Sequence, residues 1–364
     1  MKIDLIAGAR PNFIKIAPIT KAIAKAAKEG HDISYRLIHT GQHYDKNMSG
    51  SFFEELAIPE PDINLGAGGG TQAEQTAKIM IGYEQVLLKE STDLCLVVGD
   101  VTSTMACSIA AKKLNIKVAH VEAGIRSGDL SMPEEINRMV TDSISDYFFT
   151  TTKLAGDNLI KLGSNKDSIF FVGNTMIDTL LSFRDKFIAP PIWDKIGLTK
   201  GNYIVMTLHR PANVDEEEKL KELIAAILDN SGDLPLIFPV HPRTMQILDR
   251  LGISDPRLHK IQPLGYLEFN YLVEKAKAVI TDSGGITEET TVMGVPCMTL
   301  RDSTERPETI TEGSNELLGV DPKAVPPYMA KLFNGEWKKG STPELWDGKT
   351  AERIIAKLLE LDNN

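Results

Sequence analysis

Charged and hydrogen-bonding residues stand where short apolar runs of this 364-residue chain end. Arg10 follows "KIDLIAGA", Gln42 and His43 follow "ISYRLIHTG", and Asp100 closes "DLCLVVGD". Glu122 follows "KVAHV", His209 closes "NYIVMTLH", His241 lies in "PLIFPVHP", Ser283 ends "KAVITDS" and Arg301 closes "VPCMTLR". Asp100 and Glu122 are lone carboxylates beside buried runs, and "MPEEINR" adds Glu134, Glu135 and Arg138 at a helix start. Several carboxylates around one site suit a reaction in which one group takes a proton and another gives it. Arg10 in the first turn and Lys15 in the helix after it would neutralise a departing pyrophosphate.

The stretch "TDSGGITEE", 281–289, opens a helix with Ser283, Gly284 and Gly285. A helix start leaves backbone N–H groups unpaired and carries partial positive charge, and glycines admit a phosphate close to them. Capping by Ser283 or Asp282 is the plainer alternative. Glu289 lies about a turn further in, where a carboxylate accepts from a ribose diol. The stretch therefore suggests a nucleotide. His209, followed by Arg210, is placed to meet phosphate; His241, followed by proline, reads as structural.

Other chemistries are not supported. The first turn, "GARPNFIK", lacks GxGxxG, and "GAGGG" at 66–70 reads as a flexible loop, so no dinucleotide cofactor is indicated. The histidines and acids have no zinc-type spacing, so no metal is expected. No GxSxG elbow is present. Cys95, Cys107 and Cys297 form no CxxC pair, and Cys95 and Cys297, inside apolar runs, read as buried small hydrophobes.

The elements that must hold these groups alternate. Strand-like runs, apolar on both faces, are separated by amphipathic helices such as "NFIKIAPITKAIAKAAKE" and "TQAEQTAKIMIGYEQVLLKES". That pattern predicts a parallel sheet covered on both sides, with ligands beyond the carboxyl ends of the strands. A second round of alternation begins near residue 171, after which "RDKFIAPPIWDKIGLTKGN" reads as a linker. The expected fold class is α/β, with two Rossmann-like doubly wound domains facing a cleft. Their expected bounds are 1–170 and 171–345, followed by a C-terminal helix over 346–364.

The chain is long enough for two domains. A net charge of −10 argues against nucleic acid or an anionic membrane as partner. No run reaches the roughly 18 apolar residues of a membrane span, and the N-terminus does not read as a signal peptide. Cytoplasm is the expectation.

"GARPNFIKIAP", "GD" at 99–100, "HVEAGIRSGD", "MPEEINR", "GNTMID", "TLHR", "DSGGITEE" and "RDSTERPE" occur in this order over most of the chain. This set closely resembles the non-hydrolysing UDP-N-acetylglucosamine 2-epimerases. The resemblance implies a glycosyltransferase-B type fold, a homodimer, a last helix that packs back on the first domain, and no cofactor. It implies interconversion of UDP-N-acetylglucosamine and its C2 epimer through a 2-acetamidoglucal, or the same inversion on a 2,3-diacetamido uronic acid. It implies Asp100, Glu122 and Glu134 as catalytic carboxylates, with Lys15 and Arg10 near the diphosphate and sugar. His209 would contact phosphate or sugar, Phe269 would line the uracil pocket, and Ser283, Gly284 and Gly285 would bind phosphate. Glu289 would bind ribose, Arg306 would reach the ligand, and Arg138 would belong to the charged substrate cluster. Many members have Gln-His-Arg-Glu where this chain has "QHYD", 42–45. In some, that region belongs to an activating second site, so Gln42 and His43 are candidate allosteric residues. A glycosyltransferase on the same fold is the alternative from another class of reaction.

Overall fold

The computed structural model describes residues 1–41 and 55–362, and for Arg10, Pro11, Pro211 and Ala212 the backbone alone. It divides into two compact units, Met1–Ser182 with the segment from Glu344 onward, and Phe183–Pro343.

The first unit runs β1 (Lys2–Ala7), α1 (Arg10–Lys28), β2 (Ser34–His39), β3 (Ile63–Asn64), α2 (Gln72–Lys89), β4 (Leu94–Val98) and α3 (Thr102–Lys113). It continues with β5 (Lys117–Val121), α4 (Pro133–Ile144), β6 (Tyr147–Thr150), α5 (Lys153–Lys161), β7 (Ile169–Phe171) and α6 (Thr175–Phe183). All seven strands are parallel, in the order β3-β2-β1-β4-β5-β6-β7. Strand β4, "LCLVV", is buried along its whole length, as a strand covered by helices on both faces requires. Helix α2 starts on a capping box: the Thr71 hydroxyl accepts from the Glu74 amide, and the Glu74 carboxylate accepts from the Thr71 amide.

The second unit repeats the scheme with β8 (Ile204–Thr207), α7 (Glu217–Asn230), β9 (Leu236–Pro239), α8 (Pro242–Arg250), β10 (Leu258–Ile261) and α9 (Tyr266–Lys275). Then follow β11 (Ala278–Thr281), α10 (Gly284–Met293), β12 (Cys297–Thr299), α11 (Pro307–Thr311), β13 (Asn315–Leu317) and α12 (Val325–Phe333). The sheet order is β10-β9-β8-β11-β12-β13, again all parallel. Helix α10 ends at Gly294, whose φ of 69° is the left-handed conformation that glycine adopts at low cost.

The last helix, α13 (Thr350–Asp362), lies on α1 of the first unit and buries Ile354, Ile355 and Leu358. Its start is held by Asp178 of α6, whose carboxylate accepts from the amides of Thr350 (3.1 Å) and Ala351 (2.7 Å). Trp346 is buried just before it and donates from Nε1 to the Thr151 carbonyl.

Two expectations on organisation need correction. The division falls after Ser182 rather than after residue 170, because β7 pairs with β6 and α6 follows it within the first unit. It falls again after Pro343 rather than at residue 345. The segment read as a linker, 184–202, is a packed part of the second unit. Trp193 meets Tyr203 and Tyr271 edge-on, and Leu198 is buried beside them.

Candidate active site

In a doubly wound sheet, neighbouring strands whose chains leave in opposite directions open a crevice at their carboxyl ends. Here those strands are β1 and β4 in the first unit, and β8 and β11 in the second. The chemistry-bearing residues collect at both places.

At the first, Asn12 ties the turns together. Its Oδ1 accepts from the amides of Gly8 (3.2 Å) and Ala9 (3.0 Å), while its Nδ2 donates to the Val98 carbonyl (2.9 Å). One turn further along α1, Lys15 forms a buried ion pair with Glu122, which follows β5. Glu122 has φ of 73°, left-handed backbone that a glutamate adopts only under constraint from its surroundings. Gly99 faces this pair: a Cβ there would lie 3.4 Å from both the Glu122 Oε2 and the Lys15 Nζ. Lys15 is therefore not a solvated helix residue.

Asp100, next in the chain, is held by α4. Arg138 donates to its Oδ2 from Nη2 (2.6 Å) and Nε (3.1 Å), and Asn137 donates to its backbone carbonyl (2.8 Å). The same guanidinium donates to Glu135 (2.8 Å), which also accepts from the amides of Ser127 and Gly128. Burial works against the charge of Glu135, but those amides and Arg138 hold its carboxyl below the usual range. Adjacent Glu134 differs. It is half-buried, and its carboxylate has no hydrogen bond or ion pair among the described residues. Beneath these turns His120 is fully buried, between the Gly99 carbonyl and Asp142 of α4.

In the second unit, Thr207 and Thr281 share a hydrogen bond across β8 and β11. Asp282, just beyond, is fully buried and accepts from the amides of His209 and Arg210 and from Asn213 Nδ2. It also pairs at 2.6 Å with Nδ1 of His209, whose side chain is 59% exposed. Burial disfavours the Asp282 charge, yet His209 and the Arg210 amide hold the carboxyl below its ordinary value. Ser283 stands at the N-cap of α10, and its hydroxyl makes no capping bond to the helix. Neither Gly284 nor Gly285 has positive φ, and a Cβ on Gly284 would meet only the Arg301 guanidinium at 3.7 Å. Nothing in the protein's own backbone geometry demands glycine at 284, which fits a position kept open for a ligand.

Glu289 is buried along α10 and accepts from the Tyr266 hydroxyl at 2.9 Å. Burial, with Glu288 nearby, pushes its carboxyl up to about 7, against the Tyr266 hydrogen bond. Around it, Arg306 donates to Glu288 (2.6 Å), and Arg301 grips Glu305 with both guanidinium nitrogens (2.7 and 2.8 Å). Burial opposes ionisation of Glu305, but Arg301 brings it down to about 2. Glu308 goes the other way, pushed up by burial to about 7. Phe269 on α9 is half-buried against the apolar cluster that includes Leu272 and Val279.

Thus Lys15 pairs with Glu122 and Arg138 with Asp100 at the turns after β5 and β4, with Glu134 on the first turn of α4. His209, Ser283, Gly284, Gly285, Glu289 and Arg306 gather along β8, β11 and α10. Arg10 begins α1 beyond β1, with its side chain outside the described residues, and Gln42 and His43 lie outside them entirely. His241 caps α8 by accepting from the Arg243 amide, in keeping with a structural role. Asn12, His120, Asn137, Asp142, Asn213 and Asp282 were not singled out for the site. Only Asp282 had a local signal, its place beside Ser283. Among the described residues no His, Cys, Asp or Glu cluster is arranged to hold a metal ion.

The family described as UDP-N-acetylglucosamine 2-epimerase matches residues 25–359. The UDP-N-acetylglucosamine 2-epimerase of Methanocaldococcus jannaschii is 42% identical over 98% of this chain and 98% of its own. A crystal structure of the Methanocaldococcus jannaschii enzyme in complex with UDP-GlcNAc and UDP superposes with a TM-score of 0.88 at 41% identity, covering 99% of this chain and 100% of that one. The UDP-2,3-diacetamido-2,3-dideoxy-D-glucuronate 2-epimerase of Pseudomonas aeruginosa is 42% identical over 88% of this chain and 89% of its own.

Proposed function

Since the chain belongs to the UDP-N-acetylglucosamine 2-epimerase family, an isomerase family of glycosyltransferase-B type fold, we propose that it interconverts UDP-N-acetylglucosamine and UDP-N-acetylmannosamine. The observation that carries this is 42% identity over 98% of the chain to an enzyme of that name, in a chain whose β1–β4 crevice gathers carboxylates and cations.

The C2 hydrogen of the sugar adjoins the anomeric carbon rather than a carbonyl, so it is not acidic in the ground state. As the C1–O bond breaks, its electron pair leaves with the diphosphate and C1 becomes electron-poor. The C2–H pair then forms the C1=C2 bond of 2-acetamidoglucal, and a base takes the proton. Re-addition of UDP to C1, with a proton delivered to the opposite face of C2, gives the epimer. The enzyme must hold departing diphosphate, supply an acid and a base, and keep the glucal from escaping.

In this scheme Ser283, Gly284, Gly285, His209 and Arg306 hold the diphosphate, Glu289 the ribose and Phe269 the uracil. Arg10 and Lys15 meet the charge leaving C1. Asp100 and Glu122 exchange protons with C2, with Glu134 as a further proton carrier, and Arg138 orients Asp100. The uncommitted carboxylate of Glu134 and the strained backbone of Glu122 support their assignment to chemistry rather than to packing.

Incubating the protein with UDP-N-acetylglucosamine in D2O tests the proposal. Deuterium at C2, appearance of the C2 epimer and traces of free UDP are expected. No exchange with this sugar would remove the reading, and exchange only with the diacetamido uronic acid would transfer it to that substrate. Transfer that requires an added acceptor would indicate a glycosyltransferase instead.

The finer picture is a cytoplasmic homodimer supplying an activated sugar for cell-envelope polysaccharide. No helix among the described residues is long and apolar enough to cross a membrane. Exposed Ile81 and Leu88 on α2, with Ile136 and Met139 on α4, offer apolar surface for a second copy. Sedimentation at micromolar concentration decides the dimer.

A further inference from the structure

The turns that carry Asp100 and Glu122 share a support beneath them. His120 is the second-last residue of β5 and is fully buried. Its Nε2 lies 2.8 Å from the Gly99 carbonyl oxygen, and its Nδ1 lies 2.6 Å from Asp142 Oδ1. A peptide carbonyl only accepts, so Nε2 carries a hydrogen. Asp142 also accepts from the Gly124 amide at 3.1 Å and pairs with Arg126 Nη2 at 2.7 Å. That amide and the adjacent Arg126 charge keep it a carboxylate, so Nδ1 faces an acceptor as well. An imidazole with acceptors on both sides carries a proton on each nitrogen.

We infer that His120 and Asp142 are positioning residues, a buried imidazolium–carboxylate pair that fixes the Asp100 turn relative to the Glu122 turn. His120 reaches the first turn through the Gly99 carbonyl. Asp142 reaches the second through the Gly124 amide and Arg126. Helix α4 supplies Asp142 to one turn, and Arg138 and Asn137 to the other. The charged groups facing the pair are Arg126 from the Glu122 turn and, beyond Gly99, Lys15 of α1 with Glu122. A neutral side chain at 120 leaves one of the two turns unheld or leaves Asp142 short of a donor. This inference rests on Asp100 and Glu122 being the groups that exchange protons with C2.

The test combines turnover with a spectroscopic readout. In the wild-type enzyme labelled with 15N-histidine, both ring nitrogens of His120, assigned from the signals lost in His120→Gln, are expected to carry a proton. Asp142→Asn, which keeps the shape and removes the charge, is expected to lose the proton on Nδ1. His120→Gln is expected to slow C2 deuterium exchange at saturating substrate by about 100-fold, the size of effect a misplacement of about 1 Å produces. Its KM should change by no more than about two-fold. A bare ring nitrogen in the wild type, or wild-type exchange in both variants, overturns the inference. Should a variant fail to fold, seen as loss of its cooperative urea transition, the wild-type spectrum still decides, with the His120 ring assigned through its bonds to its own backbone. Absence of exchange in the wild type would sink the epimerase proposal and leave the spectrum standing.

Discussion

Three carboxylates of this protein have been placed in different states by their neighbours, and that sorting is the basis for assigning them roles. Glu135 is locked by Arg138 and two amides, Glu122 is paired with Lys15 on a strained backbone, and Glu134 is uncommitted. The left-handed φ of 73° at Glu122 costs an L-residue roughly 1 kcal/mol or more and persists only because its surroundings fix it. Asp100→Asn and Glu122→Gln are therefore expected to lower C2 exchange by about 100-fold or more, the usual weight of a general acid or base. Their UDP affinity should stay near wild type, and calorimetric titration with UDP checks it. Glu289 supports a prediction in pH. Its carboxyl titrates near 7 in the folded chain against 4.5 in the unfolded one. Below pH 4.5 it is neutral in both states and costs nothing; as pH rises toward 7 the unfolded chain ionises first and is favoured. Above pH 7 the cost is complete, about 3 kcal/mol. Glu289→Gln, measured without UDP, should therefore gain thermal stability relative to wild type as pH rises from 4.5 to 7, while losing UDP affinity. A stability difference that does not vary with pH would contradict the burial argument.

At the scale of elements, the decisive feature is that strand ends and helix starts put polar groups at fixed places. Asp178 shows how one side chain secures a whole helix. Asp178→Ala removes the acceptor for two amides of α13 and should cost about 1–2 kcal/mol in urea unfolding. Elements with strong periodicity were legible in the sequence: the apolar runs at β1, β4, β5, β8 and β11, and the long amphipathic helices. Because the carboxyl-end rule then selects residues by position alone, Asp100, Glu122, His209 and Ser283 were legible too. The strands β3, β10 and β13 were not, since "IN", "LHKI" and "NEL" are short and broken by polar residues, and β7, "IFF", is a run of only three. Missing β7 is what moved the expected domain boundary, and two prolines in 184–202 masked a segment packed around Trp193. The supporting shell was illegible for another reason. His120 sits inside an apolar strand, and Asp142 is on a helix 22 residues later, so only the folded chain brings them together.

Among the described residues the chain forms two sheets built alike, with no strand shared between them. If the nucleotide is held by the second unit, UDP stabilises the state that binds it. At a free concentration 100 times its Kd, stabilisation should be about 2.7 kcal/mol, read as a rise in the urea midpoint, and no rise would argue against that site. The first unit is also discontinuous in sequence, since α13 lies on α1 although 161 residues of the second unit, Phe183–Pro343, separate it from Ser182. During synthesis, then, the ribosome delivers the entire second unit before the last piece of the first. Until α13 emerges, the apolar surface that Ile354, Ile355 and Leu358 cover stays wet, and the nascent chain carries a finished half beside an open one.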